Sequence, residues 1–353
     1  MPSNLWNIDA IRAREAMTTR VSPLLGPTND WAGVLIAHLD TGITDHEVFN
    51  LGSATPTIRV ADGLNLMDPG INEPLDPLDY DEAIDFPGHG TRTLGTLCGN
   101  KEGAYVGVCP VVPVVPYRVT NGVALTGGRI DNLARAIMDA VDSNHASVIS
   151  ISLGVDSLFE GARMRALGRA VDHAYENGVI ICAAAGQTQD APATHDCTVY
   201  PGRYSRSILV GGINENREIC FDYHKGREYI AVWAPADNIL RPNSRHGQVP
   251  PFTELGRGNG TSFATVHVAA AAAMWLRVRG QELEAGGYAG WRRVEAFREA
   301  LRENRSPLAG NDAPFGKPPP DNSGILDCVR LLDGKLAKLD DLKKKPLAEF
   351  EKG

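Results

Sequence analysis

Short apolar runs alternate along the chain with stretches in which apolar residues recur at helical spacing. The runs are rich in β-branched residues and short enough for strands: Val34–Leu39, Val111–Val115, Ser147–Leu153, Val179–Ala184 and Ser207–Val210. Strands that are apolar on both faces are typical of the centre of a parallel sheet. The pattern therefore predicts an α/β fold with a mostly parallel central sheet and helices on both faces.

Helical periodicity fills the intervals between and after these runs. Amphipathic stretches of this kind are Ile130–Asn144, Ala162–Asn177 and Trp291–Asn304. Ser262–Val278 is rich in alanine and has few polar groups. This composition predicts a helix buried at the centre of the domain.

The same patterns suggest how the chain is organised. Residues 31–334 predict one large α/β domain, and residues 1–30 predict an N-terminal segment that packs on it. From Lys335 to Gly353 the sequence is rich in lysine, and Pro346 interrupts any helix there. We interpret residues 335–353 as a peripheral tail.

Composition and charge narrow the classes of function. The 353 residues, 43% hydrophobic and 22% charged, are enough for a large core. The net charge of -8 argues against nucleic acid or an anionic membrane as a partner, because both need clustered Lys and Arg. No apolar run reaches the roughly 18 residues of a spanning helix. Met1–Ala16 lacks the apolar block of a secretory signal, so we expect a cytoplasmic protein, or a secreted one if the chain has been processed.

The cysteines are scattered without the CxxC spacing of a zinc or redox site. They are Cys98, Cys109, Cys182, Cys197, Cys220 and Cys328. Most are interpreted as small buried hydrophobes. A disulfide between Cys197 and Cys220 stays open, because pairing depends on a geometry that sequence does not show.

Polar residues with chemical potential occur first at two places. Asp40 ends an apolar run and begins the tripeptide DTG; the carboxyl ends of parallel strands collect functional groups, although an aspartate there is also a common turn residue. His89 stands between two glycines, which let other backbone approach the imidazole closely. Its alternative is a loop histidine with a role in a turn.

The third place is Ser262, which opens the alanine-rich helix. Free N–H groups and the positive end of the helix dipole suit an anionic tetrahedral intermediate beside its hydroxyl. Alone, Thr261 or Ser262 would equally be an N-cap. Jointly, the order Asp, His, Ser along the chain is the order found in subtilisin.

At these positions the sequence resembles the subtilase family. DTG at Asp40–Gly42, HGT at His89–Thr91 and GTSFA at Gly260–Ala264 are similar to its three signature boxes. The likeness runs from about Leu5 to Leu332. Further similar segments are Leu5–Ala13, Ser152–Gly154, Ala183–Gly186, Tyr200–Tyr204, Ser207–Gly212 and Ser323–Asp327. The resemblance implies a three-layer subtilisin-like fold.

The resemblance also implies a serine endopeptidase that acts on an extended peptide or protein. Ser262 would attack the scissile carbonyl, His89 would carry its proton to the leaving amine, and Asp40 would orient His89. The Ser262 N–H and the Gln187 side chain would form the oxyanion hole. No cofactor would be required.

By the same resemblance, substrate would lie as an extended strand in a cleft. The residues implied for substrate binding are Leu125, Thr126, Gly127, Ser152, Leu153, Gly154, Ala184, Ala185, Gly186 and Val199. Leu125–Gly127 and Ser152–Gly154 would pair with the two edges of the peptide, and Ala184–Gly186 would form the opposite wall. Val199, at the base of the main specificity pocket, predicts a preference for medium apolar residues such as Leu or Met before the scissile bond.

Some positions depart from the family pattern. Gln187 stands where most members have Asn, which sets the amide donor one methylene, about 1.5 Å, further out. Arg92 replaces a common second His, Phe263 a common Met, and Val266 a common Pro. His267, within the buried helix, is interpreted as a hydrogen-bonded core histidine.

Calcium ions are common in the family, so a structural calcium is compatible with the resemblance. The sequence has no ligand run of the D-x-D-x-D-G type. The acidic stretch Asp76–Asp85 is interpreted as a solvated loop, with a cation site as the alternative.

Two other functions stay open. Gln187 and the substitutions beside His89 and Ser262 suggest a pseudoenzyme that serves as a binding module. An acyl transferase, such as a peptide macrocyclase, would use the same acyl-enzyme but transfer the acyl group to an amine instead of water.

Overall fold

A seven-stranded parallel sheet lies at the centre of the protein, with the strand order β2-β5-β1-β6-β7-β8-β9. The structure is a computed structural model that describes residues 5–53, 57–81, 85–155, 161–187, 198–220, 227–309 and 323–350. The strands are β1 (Ile36–Asp40), β2 (Leu64–Asn65), β3 (Asn100–Lys101), β4 (Tyr105–Val106), β5 (Val114–Arg118), β6 (Val148–Ile151), β7 (Ile180–Ala184), β8 (Ile208–Ile213), β9 (Val232–Pro235), β10 (Ile239–Pro242) and β11 (Leu255–Gly258). The pairs β3/β4 and β10/β11 form small antiparallel ribbons.

Helices cover both faces of this sheet. They are α1 (Trp6–Ala10), α2 (Ala13–Ala16), α3 (Ser22–Leu25), α4 (His89–Cys98), α5 (Gly128–Asp142), α6 (Gly161–Glu176), α7 (Thr261–Ala285), α8 (Trp291–Glu303) and α9 (Cys328–Asp333). One face carries α5 and α6, and the other carries α4 and α7. Within the described ranges, no helix combines the length and apolar character needed to cross a membrane.

The strands feed two hydrophobic cores because successive side chains of a strand point to opposite faces. In β1, Ile36 packs into the core shared with α4 and α7, whereas Ala37 and Leu39 pack into the core shared with α5 and α6. In β6, Val148 and Ile149 divide in the same way. The predicted three-layer fold with a parallel central sheet is confirmed.

The alanine-rich helix α7 is the centre of one core. Ala269 to Ala273 are fully buried, and the helix contacts β6, β7, β8 and β9. Small side chains allow the helix to lie close to the sheet, as predicted. The helix continues beyond the predicted end at Val278 to Ala285. The residues of this last part are more polar, and most of them lie on the exposed side of the helix.

The N-terminal segment packs against α7 and α9. Ile8 and Ile11 are buried, and the Cys328 N–H donates to the Ile11 carbonyl at 2.9 Å. The Asn7 amide donates to His267 Nε2 at 2.9 Å. This segment is therefore joined to the helix that begins beside Ser262.

The C-terminal residues are held against α6. The carboxylate of Asp172 accepts hydrogen bonds from the N–H groups of Ala348 and Glu349 at 2.8 and 3.1 Å. The Arg206 guanidinium donates to the carbonyls of Lys345 and Pro346 at 2.9 and 2.7 Å. The described part of the tail is thus docked through its own backbone.

Most cysteines behave as the sequence predicted. Cys98, Cys109, Cys182 and Cys328 are buried thiols, and Cys220 is a partly buried free thiol. Burial raises their pKa, so they stay protonated. Cys197 lies outside the described residues.

Candidate active site

Asp40 is the last residue of β1, and its side chain is fully buried. Its Oδ1 accepts hydrogen bonds from the Thr41 N–H at 2.8 Å and from His89 Nδ1 at 2.7 Å. Burial alone would raise the pKa of the Asp40 carboxyl, but the charge and hydrogen bond of His89, with smaller contributions from His38 and Thr41, hold it below its usual value. Asp40 is therefore a carboxylate that faces the imidazole of His89.

His89 is the first residue of α4, and glycines on both sides allow its position. Gly88 has a φ of 77°, and a Cβ on Gly90 would lie 2.1 Å from the Gly42 carbonyl oxygen and 3.2 Å from Asp40 Cβ. Because Gly90 has no side chain, the start of α4 can approach the end of β1 closely. This contact brings the imidazole to Asp40.

Ser262 lies at the start of α7, after Gly260 and Thr261. Its Oγ is 3.1 Å from His89 Nε2 and 3.2 Å from the Ser152 carbonyl oxygen. Since the carboxylate of Asp40 only accepts, Nδ1 of His89 carries a proton and Nε2 is an acceptor. The single hydrogen of the Ser262 hydroxyl can be donated either to this Nε2 or to the Ser152 carbonyl. The structure thus joins the three predicted residues in one hydrogen-bonded series.

Gln187 is fixed at the amino end of the same helix. Its Oε1 accepts a hydrogen bond from the Thr261 N–H at 3.0 Å, and the Thr261 hydroxyl donates to the Gly186 carbonyl at 3.0 Å. The Gln187 side chain itself is exposed. With its oxygen bound to Thr261, the amide nitrogen is the group left for a ligand at the start of α7.

The two segments predicted to enclose a substrate strand are joined directly. The Leu125 N–H donates to the Gly154 carbonyl at 2.8 Å, and the Gly154 N–H donates to the Val123 carbonyl at 2.9 Å. Ala124 and Gly154 form a parallel bridge. A peptide strand that pairs with Gly154 on this edge therefore requires the segments to separate.

The side chains of these segments face different surroundings. Leu125 and Leu153 are buried in the core, which confines their contribution to backbone groups. Thr126 is exposed, and Gly127 is the N-cap of α5. The Ser152 hydroxyl donates to the Ser262 carbonyl at 2.9 Å, so this wall is tied to the start of α7.

Val199 lies across the base of the predicted specificity pocket. A Cβ on Gly154 would meet Val199 Cγ2 at 2.5 Å, and a Cβ on Gly186 would meet Val199 Cγ1 at 3.1 Å. The Val199 N–H donates to the carbonyl of Ala185, which follows Ala184 at the end of β7. Val199 therefore fills the space between the two predicted walls.

Sequence reasoning missed a polar group beneath Asp40. His38 is buried, and its Nε2 is 3.0 Å from Thr93 Oγ1 and 3.8 Å from Asp40 Oδ2. The Thr93 hydroxyl is 3.3 Å from the same carboxylate oxygen. Burial lowers the pKa of His38, so its neutral form is favoured. The alternation along β1 was the available signal, since residues 38 and 40 share one face of the strand.

The acidic stretch that begins at Asp76 is only partly a solvated loop. Asp76 is buried and accepts hydrogen bonds from the Thr41 hydroxyl, the Tyr80 hydroxyl and the Gly88 N–H. The solvated-loop interpretation is thus wrong for Asp76, because its buried carboxylate accepts hydrogen bonds from the loops beside His89. Among the described residues, His, Cys, Asp and Glu side chains form no group of three or more placed to hold a metal ion.

The fold and the site together define a class of protein. A parallel α/β sheet that carries Asp, His and Ser in a hydrogen-bonded series at its carboxyl edge is the arrangement of a serine hydrolase. Comparison with known proteins makes this more specific. A sequence model of the subtilase family matches residues 32–303. The chain belongs to the subtilase family.

Two curated relatives are serine proteases. The major intracellular serine protease of Bacillus subtilis (strain 168) is 31% identical over 197 residues, which are 55% of this chain and 56% of that protein. The intracellular serine protease of Paenibacillus polymyxa is 30% identical over 244 residues, which are 69% of this chain and 66% of that protein. The chain thus spans between about half and two thirds of the length of these relatives.

Solved structures agree on the fold. MycP1 with its N-terminal propeptide removed matches with a TM-score of 0.64 at 21% identity, over 94% of this chain and 97% of that one. The prenylagaramide maturation protease PagA matches with a TM-score of 0.62 at 21% identity, over 94% of this chain and 98% of that one. The overall fold is therefore that of subtilisin-like protease domains.

Proposed function

We propose that this protein is a serine endopeptidase that hydrolyses peptide bonds through an acyl-enzyme on Ser262. The observation that carries the proposal is the hydrogen-bonded series from Asp40 through His89 to Ser262, with distances of 2.7 and 3.1 Å. Peptide or protein substrates are those expected of the subtilase family. The proposal includes no nucleic acid or membrane partner, and it assumes a cytoplasmic location.

The geometry supports the following sequence of steps. His89 Nε2 takes the proton of the Ser262 hydroxyl as the oxygen attacks the scissile carbonyl, and then gives it to the leaving amine. Asp40 keeps the proton of His89 on Nδ1 and stabilises the imidazolium that forms. Water then attacks the acyl group on Ser262. His89 takes a proton from the water and gives it to the Ser262 oxygen as the acid product leaves.

The start of α7 supplies the groups for the oxyanion. The N–H of Ser262 lies in the first turn of the helix, where no carbonyl of the same helix is available to accept it. We assign the second donor to Nε2 of Gln187, whose amide is oriented by the Thr261 N–H. Such donors act on the charge that develops in the transition state.

Substrate binding involves a change at the cleft wall. The Ser152 carbonyl contacts only the Ser262 hydroxyl among the hydrogen bonds described above, so a peptide N–H can reach it when the hydroxyl turns to His89. A longer peptide has to replace the pairing between Ala124 and Gly154. Val199 leaves a shallow apolar space, which supports the preference for Leu or Met before the scissile bond.

Labelling with a fluorophosphonate probe tests the proposal. The intact chain should react at Ser262, and Ser262→Ala should not. On a peptide substrate, Ser262→Ala and His89→Ala should each remove nearly all turnover, the double variant should be no worse, and Asp40→Asn should cost somewhat less. A Ser262→Ala protein that cleaves at the parent rate would overturn the proposal.

Two outcomes distinguish the alternatives. An unlabelled but folded parent that still binds peptide would favour a binding module. Product masses separate hydrolysis from macrocyclisation: the product of hydrolysis has gained one water, and the cyclic product has not.

A further inference from the structure

The cleft beside Ser262, with a volume of about 440 Å³, is lined by two groups of residues. One group contains Ser152, Gly154 and Val199, the segments proposed above to bind the acyl part of a substrate. The members of the other group are Phe86, Arg92, Arg241, Gly258 and Phe263. The proposed reaction uses none of the second group.

Contacts within the second group place it on the side of His89. The Phe86 ring packs edge-to-face on the His89 imidazole with centroids 5.8 Å apart, and the Arg92 guanidinium lies 5.1 Å from the Phe86 centroid. Because His89 gives its proton to the leaving amine, the residue after the scissile bond lies on this side of Ser262. The second group is therefore the environment of the leaving part of the substrate.

Arg241 is a buried cation in the wall of this cleft. It is 9% exposed, and no carboxylate in the described ranges lies within ion-pair distance of it. Its Nη1 donates to Pro242 and Asn243 oxygens and its Nη2 donates to the Arg257 carbonyl. The buried Nε has no hydrogen-bond partner among the described residues. Burial, and then the positive charge of Arg92, lower the pKa of Arg241 to about 9. An anion beside the guanidinium would offset both effects, because it stabilises the charged form.

Gly258 packs on this guanidinium at the wall of the cleft. A Cβ at position 258 would lie 2.8 Å from Arg241 Nε and 3.2 Å from the Phe263 ring. Because position 258 has no side chain, Arg241 and Phe263 both line the cleft beside it. The edge of a guanidinium formed by Nε and Nη2 binds a carboxylate with two parallel hydrogen bonds.

We infer that the leaving-group side of the cleft selects a substrate with Asp or Glu directly after the scissile bond, and that Arg241 is the specificity-determining residue. The inference rests on the proposed peptidase function and adds a substrate class to it. A basic site of this kind stands out in a chain whose net charge is -8.

Matched peptides test the inference. Two blocked peptides with Leu before the scissile bond should differ only in Glu or Gln after it. The parent should cleave the Glu peptide with a kcat/KM about tenfold or more higher, because charge-assisted hydrogen bonds exceed neutral ones by that much. Arg241→Gln should bring the ratio close to one. A parent ratio near one, or an unchanged ratio in Arg241→Gln, would overturn the inference.

Two further variants keep the test independent of folding. Gly258→Ala should lower the Glu preference by covering Arg241, and fluorophosphonate labelling of this variant measures separately how reactive Ser262 is. Arg245→Gln, at an exposed arginine that pairs with Glu254, is the matched control and should keep the parent ratio. A Gly258→Ala protein with the parent preference would contradict the assigned position.

Binding to Ser262→Ala separates this inference from the proposed function. The uncleaved Glu peptide should bind more tightly than the Gln peptide, whether or not the parent hydrolyses either. Tighter binding of the Glu peptide without hydrolysis by the parent would contradict the proposed peptidase function and support the charge recognition by Arg241. Hydrolysis of both peptides at the same rate, with equal binding, would support the peptidase function and contradict the charge recognition.

Discussion

At the residue scale, Gln187 is held at the start of α7, at the position where most subtilases have Asn. Its oxygen accepts a hydrogen bond from the Thr261 N–H at 3.0 Å. This contact keeps the amide group at the start of α7 although the side chain is one methylene longer than that of Asn. The extra rotatable bond is restrained by that contact.

We expect Gln187→Ala to lower turnover by about 10²-fold with little change in KM, because loss of one oxyanion donor acts on the transition state. Steady-state kinetics on a peptide substrate measure this. Gln187→Asn is the matched control and should be slower than the parent, since the shorter amide loses its contact with Thr261. A harmless Ala variant, or an Asn variant many times faster than the parent, would remove Gln187 from the oxyanion hole.

His267 carries the pH dependence of the core around α7. Its Nδ1 donates to the Phe263 carbonyl at 2.6 Å, so Nε2 is the atom that accepts from Asn7. Burial lowers the pKa of His267 from 6.5 to about 4, only partly offset by the bond to Phe263. The expected core histidine with hydrogen bonds is confirmed.

The free energy of unfolding should therefore fall as pH drops from 6.5 to about 4. In that range the unfolded chain binds a proton at this histidine and the folded chain does not, so acid favours unfolding. Denaturant titrations at several pH values should show a loss up to about 3 kcal/mol greater in the parent than in His267→Gln. His246→Gln, at an exposed histidine, should follow the parent. Parallel pH curves for parent and His267→Gln would contradict this assignment.

Short sequence motifs allowed part of the candidate site to be predicted. Asp40, His89 and Ser262 each stand in a local pattern of glycines and small residues, so their neighbours along the chain mark them. Arg241 and His38 have no such pattern. Arg241 reaches the cleft because β10 packs beside α4, a tertiary contact that no local spacing encodes.

At the element scale, the apolar runs located the central strands but not all of their ends. The predicted run Val111–Val115 overlaps β5, which extends to Arg118 and pairs there with Asp40 of β1. Arg118 is buried in this strand because Asp68 lies 3.3 Å from its guanidinium. The partner comes from a distant loop, so sequence could not show that a charged residue continues the strand.

Short or edge elements escaped prediction altogether. The strands β2 and β9 and the helices α1 to α3 are brief, and their residues are ordered by packing on the larger elements. Local propensity is weak over so few residues, whereas the long periodic stretches were located as helices, although α7 ends at Ala285 and not at the predicted Val278.

We expect the N-terminal segment to unfold together with residues 31–334. Ile11 is fully buried, so Ile11→Ala should lower the free energy of unfolding by about 2 to 5 kcal/mol in a single transition. Denaturation followed by tryptophan fluorescence and by far-UV circular dichroism should give the same midpoint. Thr18→Ala, at an exposed position of the same segment, should change stability by less than about 0.5 kcal/mol. A separate early transition, with the main one unmoved, would show that the segment folds independently.

At the scale of the whole molecule, one sheet holds both cores and the outer segments close around them. The N-terminal segment reaches α7, while the C-terminal residues cross α6. We propose residues 31–334 as the peptidase domain, with both outer segments packed on it. The site lies where the carboxyl edge of the sheet meets the starts of α4 and α7.

The docked tail has a consequence for the stability of the chain under the proposed peptidase function. A peptidase that binds extended backbone can also cut a loose segment of a neighbouring molecule. In the tail, the Lys345 N–H donates to the Tyr175 hydroxyl, and the Lys345 carbonyl accepts from Arg206. The N–H groups of Ala348 and Glu349 donate to Asp172. These are the backbone groups that a cleft would need.

Self-digestion should therefore be slow as long as Asp172 holds the tail. Asp172→Ala should release it, and intact-mass spectrometry over hours of incubation should show cuts within residues 335–353 that the parent lacks. The same change in a Ser262→Ala background should leave the chain whole, which assigns the cuts to its own activity. A tail that stays uncut in Asp172→Ala, with turnover of added peptide unchanged, would show that docking does not protect it. Cuts that appear only in the catalytically intact Asp172→Ala protein would show that the backbone contacts on α6 keep one molecule from becoming a substrate of its neighbours.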